Sequence, residues 1–200
     1  MKVHVNKLVS ICYCHLRRLF QLRSVVSQNV MKHLVTALVL ARIDSSCNSV
    51  LVNLPASTIA PLQRAQNTAA HLVLGLKRRA HITPALKKLH WSPVCQHTTF
   101  KTATLVHRVQ RQDCSPYLCD LVHFTNADCN RSRLRSATSG AATVVRTRTN
   151  LGQRAFSVAA PSIRNSLPPS LRLIDSHTVF RRQLKTYLFN LAFNWYDYIL

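Results

Sequence analysis

The residues in this chain that could do chemistry are few, and their spacing limits what they can do. Cys114, Cys119, His123 and Cys129 follow in a Cys-Cys-His-Cys order, the donor set of a small zinc-stabilised module. The gaps are looser than in a compact zinc knuckle and a short helix is predicted between the first two thiols, so incidental thiols are the simpler reading. Cys12 and Cys14 lie two apart on a predicted helix and point to different faces. Nothing in the sequence orients any histidine as a general base, and His90 beside Trp91 reads as a packing or capping residue. The acids are Asp44, Asp113, Asp120, Asp128, Asp175 and Asp197, with no Glu. Two-metal phosphoryl transfer and glycoside hydrolysis both require converging carboxylates, and these six stand in unrelated contexts. Gly75, Gly140 and Gly152 are too far apart to build a phosphate-cradling loop. The expectation is a chain with no catalytic residue, no metal site and no cofactor.

What remains is positive charge. The chain carries 27 Lys and Arg against six acids, a formal charge of +21. Such an excess repels itself unless a polyanion compensates it, so RNA or DNA is the expected partner. Most of the cations are Arg, whose planar fork matches phosphate better than the point charge of Lys. Arg131, Arg133, Arg135, Arg146, Arg148 and Arg154 fall in a stretch with no acid from Cys129 to Ile174. They read either as a phosphate-tracking arm or as a solvated loop. Lys77, Arg78 and Arg79 are more simply the charge that favours a helix C-terminus.

A membrane role is not expected. The longest apolar stretch, Leu34 to Ala41, is far shorter than the ~20 residues a spanning helix needs. The first twenty residues have no continuous apolar segment before Arg17 and Arg18, hence no signal peptide is read. Seven scattered cysteines then suggest reduced thiols, each most simply a small buried hydrophobe, in a nuclear or cytoplasmic rather than secreted protein. Oligomeric state is not legible.

The elements that must carry these charges are helical. Val5, Leu8, Val9, Cys12, Leu16, Leu19 and Phe20 recur at helical spacing, predicting one apolar face over residues 3–22. A second helix is predicted from a Ser27 cap to about Asp44, with Val30, Leu34, Ala37, Leu38 and Ala41 on its stripe. Its apolar middle suggests burial on more than one side. After Pro55, a third helix places Ile59, Leu62, Ala65, Ala69, Leu72, Val73 and Leu76 together. Thr83-Pro84 is expected to open a short helix to His90, and residues 94–112 another, despite their run of threonines. Ser115-Pro116 opens one more, to about His123. In the last segment Pro161 must kink or end a turn, and a Ser176 cap starts a helix with Phe180, Leu184, Tyr187, Leu188 and Leu191 on one stripe. The fold class expected is mainly α, an irregular assembly of about six to eight helices with a basic, flexible segment near 124–154. Three regions are read: helical residues 1–112, a short helix with a basic linker over 113–154, and a C-terminal helical segment over 155–200.

Six blocks in this order and spacing carry a family resemblance: LVTALVLARIDSSCNSVLVNLP, IAPLQRAQNTAAHLVLGL, HITPALKKLHWSPV, SPYLCDL, RTRTNLGQRAFSVAAPSIRNSLP and FRRQLKTYLF. Together they resemble the region after the catalytic palm in LINE-type, jockey-like non-LTR retrotransposon reverse transcriptases, over residues 2–190. The resemblance implies that residues 1–112 are thumb-like, and that the palm with its metal-binding aspartates belongs upstream. It implies a noncatalytic segment of an RNA-directed DNA polymerase that holds template or primer. Arg64 in LQRAQN, Arg146 and Arg148 in RTRT, and Arg154 in GQRAF match recurring positions of the family and are the expected phosphate contacts, with Gln66 and Asn67 either contacts or structural. The family's Asp-Tyr-Cys-Asn reads Asp44-Ser45-Ser46-Cys47-Asn48 here, and its Pro-Val-Glu-Tyr reads Pro93-Val94-Cys95-Gln96. Lost acids raise the net charge without adding contacts, so a degenerate relic with a helical core and no partner is the alternative.

Overall fold

The computed structural model describes residues 2–46, 51–77, 79–124 and 140–194. They are mainly helical, and no strand forms among them beyond an isolated bridge between Phe124 and Ala142. The helices are α1 (Lys2–Leu22), α2 (Gln28–Val35), α3 (Ala41–Ser46), α4 (Ala56–Leu74), α5 (Ile82–Leu89), α6 (Val94–Gln110), α7 (Pro116–Cys119), α8 (Phe156–Ser166), α9 (Pro169–Arg172) and α10 (His177–Asn194). No described helix is long and apolar enough to cross a membrane. Contacts divide the chain into two units. One comprises the described residues of Met1–Cys47, Leu54–His97 and Leu191–Leu200, the other those of Asn48–Asn53 and Thr98–Asn190. The helical break expected at 112 follows the end of α6, whereas the line between units falls inside α6.

In the first unit, α1 buries Val5, Leu8, Cys12, Leu16 and Leu19, a stripe with steps of three and four that faces α4. Phe20 departs from the expected face and stays 66% exposed. The second stripe also differs from expectation. Met31, Val35, Val39 and Ile43 are buried, while Val30 is exposed and Leu34 half-buried. A π-helical turn over Thr36–Leu40 follows, between α2 and α3, in which the Ala41 N–H bonds the Thr36 carbonyl. Its wider turn keeps Val39 and Ile43 in line with Met31 and Val35, so the steps of four continue through it. Ala37 and Ala41 are exposed, so the apolar middle is not buried all round.

Helix α4 buries Leu62, Ala65, Ala69, Ala70, Leu72 and Val73, its alanines letting α1 approach closely. It ends at Gly75, whose φ of 70° is left-handed and whose N–H bonds the His71 carbonyl. A Cβ at Gly75 would also meet the Arg23 guanidinium. Helix α5 is capped at His81 rather than Thr83, since Pro84 fits any position of the first turn, where backbone N–H groups have no helical partner. It closes on His90, which adopts the left-handed cap conformation at φ 56°.

The second unit surrounds the later part of α6. Ala103 packs with Leu167, Leu171, Phe180, Leu184 and Leu188, joining α8–α10 to α6. Val106 and Val109 pack with Val122, Ala142 and Ala160. Of the expected α10 stripe, Phe180, Leu184 and Leu188 are buried, Tyr187 half-buried and Leu191 exposed. Pro161 lies inside α8 without ending it. Residues 140–154 are irregular up to a 3-10 turn at Gly152–Arg154, yet their start is tied down. Asn165 pairs with both backbone groups of Ala142, at 2.9 and 2.8 Å, and the Thr143 N–H donates to His123.

His107 of α6 is buried and stacked on Phe180 at 4.2 Å. Its Nε2–H donates to the Ile174 carbonyl at 2.8 Å, so Nδ1 of the neutral ring accepts from His177 Nδ1 at 3.2 Å. Desolvation holds His107 below its ordinary 6.5. His177, Arg164 and Arg111 add to this, and the Ile174 carbonyl opposes it. Desolvation likewise lowers His177, with Arg181, Arg108 and Arg111 adding and Asp113 opposing.

Two outcomes follow. Gly75→Ala should lower stability by about 1–2 kcal/mol through the left-handed backbone, seen as a lower urea midpoint at unchanged slope. For His107 and His177, the unfolded chain takes up protons as pH falls through 6.5 while the fold does not. Stability present above that value is then lost on acidification, until the folded pKa values are passed. The thermal midpoint should therefore fall between about pH 7.5 and about pH 5.5, and His107→Gln should flatten that dependence.

Candidate nucleic-acid interface

The expected contact residues separate into distinct environments. Arg64 stands exposed on α4. Its neighbours in the LQRAQN block turn the other way and build structure. Gln63 Nε2 donates to Gln66 Oε1 and Asn67 Oδ1, at 3.0 and 2.8 Å. Gln66 Nε2 donates to the Ser92 carbonyl at 2.8 Å, and Gln63 Oε1 accepts the Val94 N–H that opens α6. Gln63 and Gln66 thus tie α4 to the α5–α6 connection, while helical geometry sends Arg64 outward. Asn67 is drawn into the same network through its carbonyl oxygen.

Arg146 and Arg148 are both exposed, with Thr147 between them half-buried. The guanidinium of neither arginine, nor that of Arg64, makes a hydrogen bond or ion pair among the described residues. Arg154 is half-buried, with its Nε buried and unpaired among them. Arg131, Arg133 and Arg135 lie outside the described residues.

One arginine of the same acid-free stretch has a different task. Arg164 is 1% exposed, donating from Nε to the Gly140 carbonyl and from Nη2 to the Arg172 carbonyl at 2.9 and 2.8 Å. Its guanidinium carbon sits 5.5 Å from the centroid of the Phe124 ring. Desolvation, and then the charge of Arg172, push its pKa down to about 10, which leaves it charged at neutral pH. With no carboxylate available, the charge is held by carbonyl dipoles and a ring face. Composition alone could not single out this residue, because Arg164 and Arg154 look alike in sequence.

Acids at the surface neutralise little. Arg108 lies 3.4 Å from Asp113 and Arg111 3.5 Å from Asp175, both exposed pairs of the kind worth about 0–1 kcal/mol. Arg111 also donates to the Asp175 carbonyl. His97 and Asp44 meet at 3.3 Å.

Cys114 and Cys119 come together, Sγ to Sγ 3.5 Å, both half-buried, while His123 is exposed and Cys129 lies outside the described residues. Among the described residues, no three His, Cys or Asp side chains converge as metal ligands would. The expectation that each cysteine is a buried hydrophobe needs correction. Of the five described, only Cys12 is buried, its thiol pushed up mainly by desolvation, and Cys14 and Cys95 are exposed. Their helices turn those positions away from the core stripes.

Sequence reasoning missed Arg23. It follows Tyr13, Leu16 and Phe20 at helical steps just beyond α1, and it lines a cleft with Arg64 and His71. No protein-family model matches this chain, nor does any curated protein or solved structure.

The Arg164 clamp yields a testable outcome. Arg164→Lys should cost about 1–3 kcal/mol, because one ammonium cannot reproduce the fork to two carbonyls and the stacked ring. A thermal melt checks this.

Proposed function

We propose that this protein binds nucleic acid without catalysing a reaction, as the post-palm segment of a LINE-type reverse transcriptase that holds template or primer in the nucleus or cytoplasm. One observation carries the reading: six acids cannot neutralise 27 cations, and Arg64, Arg146 and Arg148 stand exposed without an internal partner among the described residues. An exposed guanidinium with nothing to pair is available to phosphate. The family assignment rests on the six sequence blocks. Within those blocks Gln63, Gln66, Arg164 and Asn165 make specific bonds inside each unit, which leaves the exposed arginines as the groups free to meet phosphate. Binding of this kind is governed by released counterions and has little sequence preference.

A second reading draws on a different observation. The 3.5 Å approach of Cys114 to Cys119 supplies two thiols of a zinc-stabilised module that Cys129 and His123 would complete. Metal analysis of protein purified without chelator decides it, since less than one equivalent of zinc rules it out.

The principal test is filter binding of RNA and single-stranded DNA across a salt series. Measurable affinity at low salt is expected. Reversing both Arg146 and Arg148 to Glu should weaken it and flatten the log–log salt slope by at least about 1.4, roughly 0.7 for each single-strand phosphate that is no longer neutralised. No affinity at low salt refutes the proposal, and unchanged binding by the double reversal removes these two arginines from it. Absence of both effects is what a relic with no partner predicts.

A further inference from the structure

Within the first unit, a cleft lies between α1 and α4 with a volume of about 700 Å³. That falls inside the range of roughly 300–1,000 Å³ typical of small-ligand sites. Tyr13, Leu16 and Phe20 enter it from α1 at steps of three and four. Arg64, Asn67 and His71 enter from α4 at the same steps, so one stripe of each helix faces the opening. Phe20 is 66% exposed and Tyr13 37% exposed, a large aromatic surface that the core leaves uncovered. Arg23 also lines the cleft, with its guanidinium over Gly75, where a side chain would displace it. Among the residues lining the cleft there is no carboxylate.

Two aromatic rings beside two guanidiniums suit a flat, π-faced group that carries negative charge next to it. A neutral apolar helix would gain from the rings but leave both arginines unanswered, and an acidic helix lacks the flat faces the rings match. A nucleotide has both features. We propose that this cleft is a base-stacking subsite for an unpaired nucleotide of a single-stranded nucleic acid, with Phe20 and Tyr13 meeting the base and Arg23 and Arg64 the flanking phosphates. Asn67 Oδ1 is occupied by Gln63, which leaves the Asn67 amide N–H groups for a base edge. The inference rests on the nucleic-acid reading and adds what that reading lacks, a preference for unpaired bases over bare backbone.

The test uses the full chain and fluorescence anisotropy with three probes. These are an oligothymidine of about twelve nucleotides, the same strand with abasic central positions, and a duplex of that length. The base-bearing strand should bind at least about fivefold more tightly than the abasic one, the lower end of what stacking one base contributes. Phe20→Ala should erase that difference while leaving the salt slope intact, and Phe20→Trp should keep it. Because Phe20 is exposed, both variants should fold, and their circular-dichroism melts should match the parent. Equal binding of the intact and abasic strands with an ordinary salt slope overturns the subsite while the phosphate-binding function stands. Absence of binding to any probe at low salt overturns both. Should Phe20→Ala convert a dimer to a monomer in sedimentation and leave the base preference unchanged, the cleft is a contact between copies and the proposal fails.

Discussion

Twenty-one uncompensated positive charges set the terms for everything else in this molecule. An ionised group buried without a partner is prohibitively costly, and a carboxylate is its usual partner. With six acids in the whole chain, most cations have no such partner and must remain where water or a ligand can solvate them. The helices accordingly keep Lys and Arg off their buried stripes, as α1 does with Lys7, Arg17 and Arg18. Arg164 shows the alternative: backbone carbonyls and an aromatic ring take the place of the missing acid.

The two units meet this constraint by different means. In the first, apolar side chains and alanines on α1, α2 and α4 form an uncharged interior, closed by amide–amide and amide–backbone bonds from Gln63 and Gln66. In the second, polar side chains take a larger part. His107, Arg164 and Asn165 each bond a backbone group distant in sequence: His107 holds Ile174, while Arg164 and Asn165 hold Gly140 and Ala142 at the start of a segment with few apolar residues of its own. Side-chain bonds to otherwise unpaired backbone groups do there what a helical ladder does elsewhere. The proposed function draws on what this arrangement leaves over, which is arginine at the surface.

Helical periodicity was legible where packing followed the ideal repeat. The α1 stripe from Val5 to Leu19 and the α4 stripe from Leu62 to Val73 are where spacing puts them. The α2–α3 stripe was not: Met31 and Val35 are buried in place of Val30 and Leu34, and a π-helical turn that no residue type announces carries that line on to Val39 and Ile43. Phe20 was misplaced for another reason. It lies in phase with the apolar face, but at its margin, and only the course of α4 decides whether that margin is covered. Of the candidate site, Arg64, Arg146 and Arg148 could be named from sequence but their exposure could not, and Arg23 and the cleft arise from two helices distant in the chain.

Sequence by itself determined the class of this protein: helical, strongly basic and without a glycine-rich phosphate loop. These are properties of composition and short-range spacing, and they survive any arrangement of the helices. Tertiary structure alone decided which arginine is buried and which is free, which cysteines meet, and which aromatic faces remain open. Such choices depend on contacts between residues far apart in the chain. Arg146 and Arg164 are equivalent in charge and differ only in what the fold brings to them.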